Sequence, residues 1–492
     1  MGKAQIMKRD LLSDGGDNTA RGTVPGMQAL SSASRAVRRH PIPTFGALVL
    51  LVSFMASSIW ILPEYHHSLG WSYTADIWNY LQLAHLTDIG AYQAIYSQPT
   101  ISTTPGVVAA LVPVWWLIHA AGLSVSFQVR VLHPTAWLVL GPYEVLLSAS
   151  ALYAVDSVAV RFGATTARRV LICAAEVYAL YNVVLWGHPE DAIAVTCLLY
   201  ACLAISEGRW RRTGWLMGVA VAFQPFVLLS LPLLLFLAPR KELAAFLARL
   251  VAPTAVLLVL PLSLDWSVTV HDFLTQATFS TLDRPTPWVR FAPSLGLDGF
   301  HGATGVMAVG DGPATLLAIL FSVVLGFLLR RSVHKLNVLV GAVALSLSLW
   351  CFFETVITPY YVWPAIAVAL IGLSRTTMPR AAAVLVFAAI ADIASNADLH
   401  AEWVWWVIVA ALGALVAVSW PPTARARPDE PVESFALVDL FAVNLADRAS
   451  LPVLHFTVAS NPATFGLDDH AQVFAFFTVA ESLTVPPLAL SL

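Results

Sequence analysis

The chain has 492 residues, of which 58% are hydrophobic and 12% are charged, and its mean hydropathy is +0.73. Soluble domains carry about 25% charged residues, so this composition excludes a soluble protein. The net charge of −3 identifies no partner, because the placement of charges along the chain matters more than their sum.

Apolar stretches of about 20 residues recur along the chain, and this is the length that crosses roughly 30 Å of hydrocarbon. They predict an all-α, polytopic transmembrane bundle of about 10–12 spans. The predicted spans are 43–62, 133–155, 170–186, 191–206, 250–264, 312–329, 336–354, 360–374, 380–396 and 402–420. The four cysteines (Cys173, Cys197, Cys202 and Cys351) lie in apolar runs without metal-type spacing and indicate packing residues.

Basic residues orient the spans, because cytoplasmic loops of membrane proteins carry an excess of Lys and Arg. The clusters are 35–39, Arg161/Arg168/Arg169, Arg209/Arg211/Arg212, Arg240/Lys241/Arg249, Arg330/Arg331/Lys335, Arg375/Arg380 and Arg425/Arg427. With these clusters in the cytoplasm, the outer side receives 63–132, 187–190, 265–311, 355–359 and 397–401. The arginine-rich basic set favours a bacterial plasma membrane.

Three segments follow from this arrangement. Residues 1–42 are predicted to be a cytoplasmic N-terminal segment before a retained signal-anchor span. Residues 43–420 form the transmembrane domain, and the proline-rich start of 421–492 indicates a cytoplasmic tail that is a candidate for disorder.

Two apolar stretches leave alternatives open. Residues 105–121 are apolar enough to cross the membrane. A crossing would move Arg161, Arg168 and Arg169 outside, against the excess of basic residues in cytoplasmic loops, so we favour a helix in the outer leaflet. Residues 213–238 have arginines at both ends, so they form either an even number of spans or a re-entrant hairpin. Pro225 interrupts a helix there, and Gln224 beside the break is a candidate substrate-binding residue in a cavity.

The first outer loop carries an acid among aromatic residues. Trp71-Ser-Tyr-Thr-Ala-Asp-Ile-Trp-Asn-Tyr80 surrounds Asp76 with four aromatic rings. Such rings anchor at the membrane interface, and they also suit the C–H face of a sugar. A solvated loop carboxylate is the ordinary alternative for a single acid of this kind.

The loop resembles the first outer loop of the GT-C superfamily of integral-membrane glycosyltransferases, which use polyprenyl-phosphate sugars. The resemblance rests on Ala75-Asp-Ile-Trp-Asn-Tyr80, Gly90-Ala-Tyr-Gln-Ala-Ile-Tyr96 and Thr104-Pro-Gly-Val-Val-Ala-Ala-Leu-Val-Pro113. The pattern is most similar to bacterial polyprenyl-phosphate-mannose-dependent mannosyltransferases, and it covers roughly 43–375.

The resemblance implies an inverting glycosyltransferase with a GT-C-like fold and its active site on the outer side. By motif position Asp76 matches the family's catalytic Asp, and Asp88, Tyr92 and Tyr96 are candidate substrate-binding residues in the same loop. The implied partners are a polyprenyl-phosphate sugar donor, a glycan or glycolipid acceptor of the cell envelope, and membrane lipids, with no nucleic acid. A divalent metal is a possible cofactor that the residues neither require nor exclude.

A second group of polar residues lies in Trp186-Gly-His-Pro-Glu-Asp191, between two apolar spans. Glu190 and Asp191 would be stabilised by the free N–H groups at the start of the next helix, by about 0.3–1 kcal/mol each. Similar turns line the donor side in the resembled family, although His188 stands where Gln is expected. These three polar residues are therefore candidate substrate-binding residues, with helix capping as the alternative.

Two further outer segments supply candidates. Arg284 and Arg290 could bind the departing polyprenyl phosphate, since guanidinium groups bind phosphate with paired hydrogen bonds; the alternative is an arginine at lipid headgroups. In Glu354-Thr-Val-Ile-Thr-Pro-Tyr-Tyr-Val-Trp-Pro364, the acid could bind an acceptor or a metal, or cap the turn. Tyr360 and Tyr361 are candidates for substrate contact there.

Three acids inside predicted spans support a different class of function. Placing Glu144, Glu176 and Asp392 in a membrane costs free energy, and acids inside spans often mark transport pathways. A proton-coupled secondary transporter or a lipid flippase is therefore the alternative to the glycosyltransferase.

Overall fold

A computed structural model describes residues 40–65, 75–96, 103–125, 135–274, 278–279, 284–291, 294–296, 307–309, 313–397 and 402–420. The described residues from Ile42 onward belong to one compact unit. The predictions for 1–39 and for the tail 421–492 lie outside the described residues.

The described part of the chain is an all-α bundle. Its helices are α1 (Pro41–Tyr65), α2 (Ala75–Asp88), α3 (Pro105–Ala120), α4 (Trp137–Ser148), α5 (Ser150–Arg161), α6 (Thr166–Trp186), α7 (Pro189–Ser206), α8 (Trp210–Phe223), α9 (Leu231–Leu237), α10 (Arg240–Leu264), α11 (Trp266–Leu274), α12 (Pro313–Leu329), α13 (Leu336–Phe353), α14 (Trp363–Leu370), α15 (Met378–Asn396) and α16 (Glu402–Ser419). Short 3₁₀ turns are Tyr92–Ala94, Pro225–Ser230, Pro287–Phe291, Pro359–Val362 and Ile371–Ser374.

Strands are few and short in these residues. They are β1 (Thr278–Phe279), β2 (Arg284–Pro285), β3 (Ser294–Gly296), β4 (Met307–Val309) and β5 (Val356–Ile357). The order β1-β4-β3 makes one antiparallel sheet, and β2 pairs with β5 so that Arg284 lies opposite Ile357. All but β5 fall in the predicted outer loop 265–311.

Seven helical segments in the described residues are long and apolar enough to cross a membrane. They are Pro41–Ile59, Trp137–Arg161, Thr166–Trp186, Pro189–Ser206, Arg240–Leu264, Leu336–Phe353 and Met378–Asn396. This finding is consistent with a multi-pass membrane protein, as the composition predicted. The predicted span boundaries agree with the helices within a few residues, except that α10 begins at Arg240, ten residues before the predicted span.

The stretch 213–238 forms two helical arms joined at Gln224. Helices α8 and α10 pack in parallel, because Gly214 faces Phe246 and Gly218 faces Arg249 and Leu250. Both helices therefore start at the same end of the bundle, and the intervening residues 225–237 must return the chain to it. The segment is a helical pair with its break at Pro225, a geometry that both an even number of spans and a re-entrant hairpin share.

The bundle has two chemically different ends. At one end, which we call the basic end, Arg168 donates to the carbonyl of Leu373 and Arg375 donates to that of Phe162. At the other end, which we call the acidic end, the turn after α6 meets the start of α2 and the residues just before α14. Segments predicted to lie outside thus share the acidic end.

Candidate functional site

The acidic end is built on a tight turn between α6 and α7. Gly187 ends α6 in the left-handed conformation (φ 81°), where a side chain would be strained, and the N–H of His188 bonds to the carbonyl of Val183. Pro189 then starts α7, since its fixed φ suits the first helical position. Glu190 and Asp191 consequently occupy the first turn of α7, near its free N–H groups.

His188 lies between two carboxylates. Its Nε2 is 3.0 Å from Oδ2 of Asp76, and its Nδ1 is 2.7 Å from Oε1 of Glu190. The His188 ring is buried, and so is Glu190, whereas 36% of the Asp76 side chain is exposed. Among these three side chains, Asp76 is therefore the one that is accessible to solvent.

Helix α2 supplies both Asp76 and Tyr80. Asp76 lies in the first turn of α2, where the free N–H groups favour a negative charge. Tyr80 follows one turn later on the same face, and its hydroxyl donates to Oε1 of Glu190 at 3.0 Å. The sequence analysis treated Tyr80 as one of the rings that anchor the loop or face a sugar, and the structure buries it against Glu190.

The carboxylates raise the pKa of their neighbours. Burial alone would lower the pKa of His188, but the charge of Glu190 and the hydrogen bond to Asp76 outweigh it, and the pKa is raised well above its ordinary value. Burial first, and then the charges of Glu190 and Asp76, raise the pKa of Tyr80 well above 10. Tyr80 therefore stays a neutral hydrogen-bond donor.

Two more buried acids lie around the imidazole. Glu144 of α4 is fully buried, interacts electrostatically with His188, Glu190 and Asp76, and has no hydrogen-bond partner for either carboxyl oxygen within the described residues. Asp191 is also fully buried and interacts with the side-chain amide of Gln224, although no hydrogen bond of normal geometry reaches its oxygens within that part of the chain. Four carboxyl groups thus surround one imidazole.

Tyr360 packs against the imidazole of His188. Its ring stacks on His188 with centroids 3.7 Å apart and planes 22° apart, and both rings are buried. Tyr361 points elsewhere, with its ring 4.2 Å from that of Trp350. Of the two predicted tyrosines, the structure brings Tyr360 to the site.

The break after α8 joins the site from another side. The hydroxyl of Thr104 donates to the carbonyl of Phe223 at 2.6 Å, one residue before Gln224. A side chain at Gly106 would lie 2.7 Å from the carbonyl oxygen of Ala222, so this glycine permits the close approach of α3 and α8. The Thr104-Pro-Gly motif therefore anchors α3 beside the break.

Asp88, a predicted residue of the first loop, lies away from Asp76. It ends α2, about 18 Å of helix beyond Asp76, and it accepts hydrogen bonds from the indoles of Trp115 (3.1 Å) and Trp116 (2.8 Å). These hydrogen bonds lower the pKa of Asp88. The other two predicted residues of this loop, Tyr92 and Tyr96, follow in and after the next 3₁₀ turn, and both rings are at least partly buried.

Glu354 caps a turn, as one of its predicted alternatives proposed. It accepts hydrogen bonds from Nε1 of Trp350 at 2.7 Å and from the backbone N–H of Thr355 at 3.0 Å. These contacts hold the chain between α13 and β5.

The two predicted phosphate-binding arginines lie in one described segment. The backbone of Arg284 pairs with Ile357, three residues before Tyr360, while its side chain is outside the described residues. Arg290 is exposed in the 3₁₀ turn Pro287–Phe291. The pairing brings the backbone of Arg284 to the acidic end through β5.

The other two intramembrane acids have hydrogen-bond donors. Nε1 of Trp363 donates to Glu176 at 3.1 Å, and the amide of Asn182 donates to both oxygens of Asp392 at 3.0 and 3.2 Å. Glu144 alone of the three interacts with the group around His188.

Tyr80 and Glu144 are the site residues that the sequence prediction did not place there. Glu144 could have been found because placing an acid inside a span costs free energy. Tyr80 could have been found because it follows Asp76 by one helical turn. Across the described residues, no three His, Cys, Asp or Glu side chains are arranged to hold a metal ion. No protein-family model matches the chain, and no curated protein matches it with significant similarity.

Proposed function

We propose that the protein is an inverting glycosyltransferase of the GT-C type, which moves a hexose from a polyprenyl phosphate to a cell-envelope acceptor. The acidic end would face the outside of a bacterial plasma membrane, and mannose is the sugar that the resemblance of the first loop favours. The single observation that carries the proposal is the contact between Asp76 and His188, residues of two separate segments that the sequence resemblance assigns to one site.

Asp76 has the geometry of a general base in this proposal. His188 engages its Oδ2, so Oδ1 is the oxygen offered to an acceptor hydroxyl, and the side chain is partly exposed. A free carboxylate with a pKa of about 4 is a weak base for a sugar hydroxyl at neutral pH. The proton therefore moves late, as the acceptor oxygen attacks the anomeric carbon and the polyprenyl phosphate leaves from the opposite face.

Positioning supplies more of the rate than basicity does. A general base contributes about 10²–10⁴-fold, whereas holding donor and acceptor in line can lower the barrier by about 7–11 kcal/mol. The leaving phosphate needs positive charge, and Arg284 or Arg290 is proposed to supply it. The backbone pairing of Arg284 with Ile357 supports this role, because β5 leads directly into the Tyr360 turn.

The transporter alternative needs acids that can exchange protons along a pathway. Glu176 and Asp392 have hydrogen-bond donors from neighbouring helices, and Glu144 belongs to the group around His188. Four carboxyl groups, those of Asp76, Glu144, Glu190 and Asp191, instead converge on His188 at the acidic end, which supports the transferase.

The test is transfer of radiolabelled mannose from polyprenyl-phosphate mannose by the purified protein in liposomes. Asp76→Asn is expected to lower transfer by at least about 10²-fold, since it removes the proposed base. Glu207→Gln is the control, at an exposed acid beyond the far end of α7, and it is expected to keep wild-type transfer. Equal transfer by both variants would refute the assignment of Asp76. Solute flux driven by a pH gradient, without sugar transfer, would support the transporter instead.

A further inference from the structure

The hydrogen bonds around His188 indicate which protons it carries. Oε1 of Glu190 accepts from the Tyr80 hydroxyl, and it also lies 2.7 Å from Nδ1 of His188. A buried carboxylate oxygen at that distance requires a proton on Nδ1. Nε2 faces the carboxylate of Asp76 at 3.0 Å and requires a proton for the same reason.

The rest of the surroundings favours a charged ring. The groups that face or act on His188 are Asp76 and Tyr80 of α2, Glu144 of α4, Glu190 and Asp191 of α7, and Tyr360 before α14. Four of these six groups are acids, and the Tyr360 ring lies 3.7 Å from the imidazole, where an aromatic face attracts a cation. A neutral ring would leave one of its two close contacts, Nε2 to Asp76 or Nδ1 to Glu190, without a proton between the two atoms.

We propose that His188 acts as the positioning residue of the transferase, as an imidazolium that bridges Asp76 and Glu190. The inference rests on the proposed function and deepens it. The bridge fixes the Asp76 side chain with Oδ2 toward the ring and Oδ1 toward the acceptor. His188 itself is buried and transfers no group; it acts on the reaction through Asp76.

The bridge has a consequence for the pH dependence of transfer. As pH rises through the raised pKa of His188, the ring loses one proton, and one of its two contacts loses its donor. Transfer then falls on the alkaline side while donor binding persists. Glu190→Gln removes the carboxylate that stabilises the proton on Nδ1 of His188. The ring then loses a proton at lower pH, and the fall in transfer moves to lower pH with it.

The first experiment measures kcat and KM for polyprenyl-phosphate mannose between pH 5 and 10. In His188→Gln we expect kcat to fall about 10–100-fold with little change in KM, and the alkaline fall to disappear. In Glu190→Gln we expect the alkaline fall to shift to lower pH. Glu207→Gln, at an exposed acid beyond the far end of α7, is expected to keep the wild-type profile. A wild-type kcat and pH profile in His188→Gln would overturn the proposal, as would an unmoved alkaline fall in Glu190→Gln.

The second experiment needs no transfer activity. In protein labelled with ¹⁵N-histidine, the signal that is lost in His188→Gln is assigned to His188 and titrated by NMR. The midpoint is expected above the ordinary value of about 6.5, and it is expected to drop in Asp76→Asn and in Glu190→Gln. A wild-type midpoint at or below the ordinary value would overturn the imidazolium bridge. A raised midpoint in a protein that transfers no sugar would instead count against the proposed function.

Discussion

The two ends of the bundle differ in whether their buried ionisable side chains have hydrogen-bond partners. At the basic end the arginines have partners: Arg169 makes a paired contact with Asp156 at 2.7 and 2.8 Å, and Arg380 donates to the carbonyls of Val418 and Trp420 at the end of α16. At the acidic end, both oxygens of Glu144 and of Asp191 lack a hydrogen-bond partner among the described residues.

The contrast concerns charged and carboxyl side chains. The paired arginines at the basic end stabilise the fold, whereas a buried carboxyl group without a partner costs free energy, so stability does not explain Glu144 and Asp191. The comparison supports the acidic end as the place of the proposed site.

The largest expected effect is at the basic end. Asp156 is buried and the Arg169 side chain is only 19% exposed, so Asp156→Asn leaves a largely buried cation without its counter-charge. We expect the free energy of unfolding to fall by about 3 kcal/mol. The matched control is Glu207→Gln, whose contact with Arg209 is exposed and worth at most about 1 kcal/mol. Reversible unfolding in detergent micelles measures both free energies. If the two variants lowered the free energy of unfolding equally, the buried pair would contribute no more than the exposed one, contrary to this prediction.

A smaller and pH-dependent effect is expected at the acidic end. Because the pKa of His188 is raised in the folded state, its contribution to stability is fully present below the unfolded pKa of about 6.5 and is lost as pH rises through the folded pKa. The difference in melting temperature between wild type and His188→Gln should therefore be largest near pH 6 and should shrink toward alkaline pH. Melting curves across this range measure it, and a difference that grows with pH would contradict the sign.

The smallest effect is expected for an acid without a partner. Glu144→Gln replaces a buried carboxyl group that has no hydrogen-bond partner among the described residues and keeps the shape of the side chain, so the free energy of unfolding should stay unchanged or rise by about 1 kcal/mol. The same unfolding measurement tests it beside Asp156→Asn, because the two buried acids should give opposite signs. A loss of several kcal/mol would mean that Glu144 stabilises the fold, and the contrast between the two ends would fail.

Much of the fold could be predicted because membrane spans have a strong sequence signal. The length and apolar character of the spans, together with the arginines between them, gave boundaries within a few residues for helices such as α6 and α13. The stretch 213–238 could not be decided from the sequence, since arginines at both ends are compatible with two arrangements. Contacts at Gly214 and Gly218 show that α8 runs parallel to α10, and these contacts depend on a helix that is distant in sequence.

The candidate site was predictable in its parts and not in its assembly. Asp76 and His188 were each chosen for local reasons, but 112 positions of chain separate them, and no local pattern reports their contact. The capping role of Glu354 was also a local alternative, and the structure contains it. Asp88 was chosen for its nearness to Asp76 in sequence, yet helical rise carries it about 18 Å away.

The pairing of β2 with β5 limits where the chain can change length. Arg284 lies opposite Ile357, Thr286 bonds to the carbonyl of Thr355, and Nε1 of Trp288 donates to the carbonyl of Phe352 at 2.6 Å. A single inserted or deleted residue between Arg284 and Trp288 would shift this register and turn each side chain to the opposite face. Related chains should thus keep a constant number of residues here, so that spacing, rather than residue identity, becomes the mark by which distant members can be aligned.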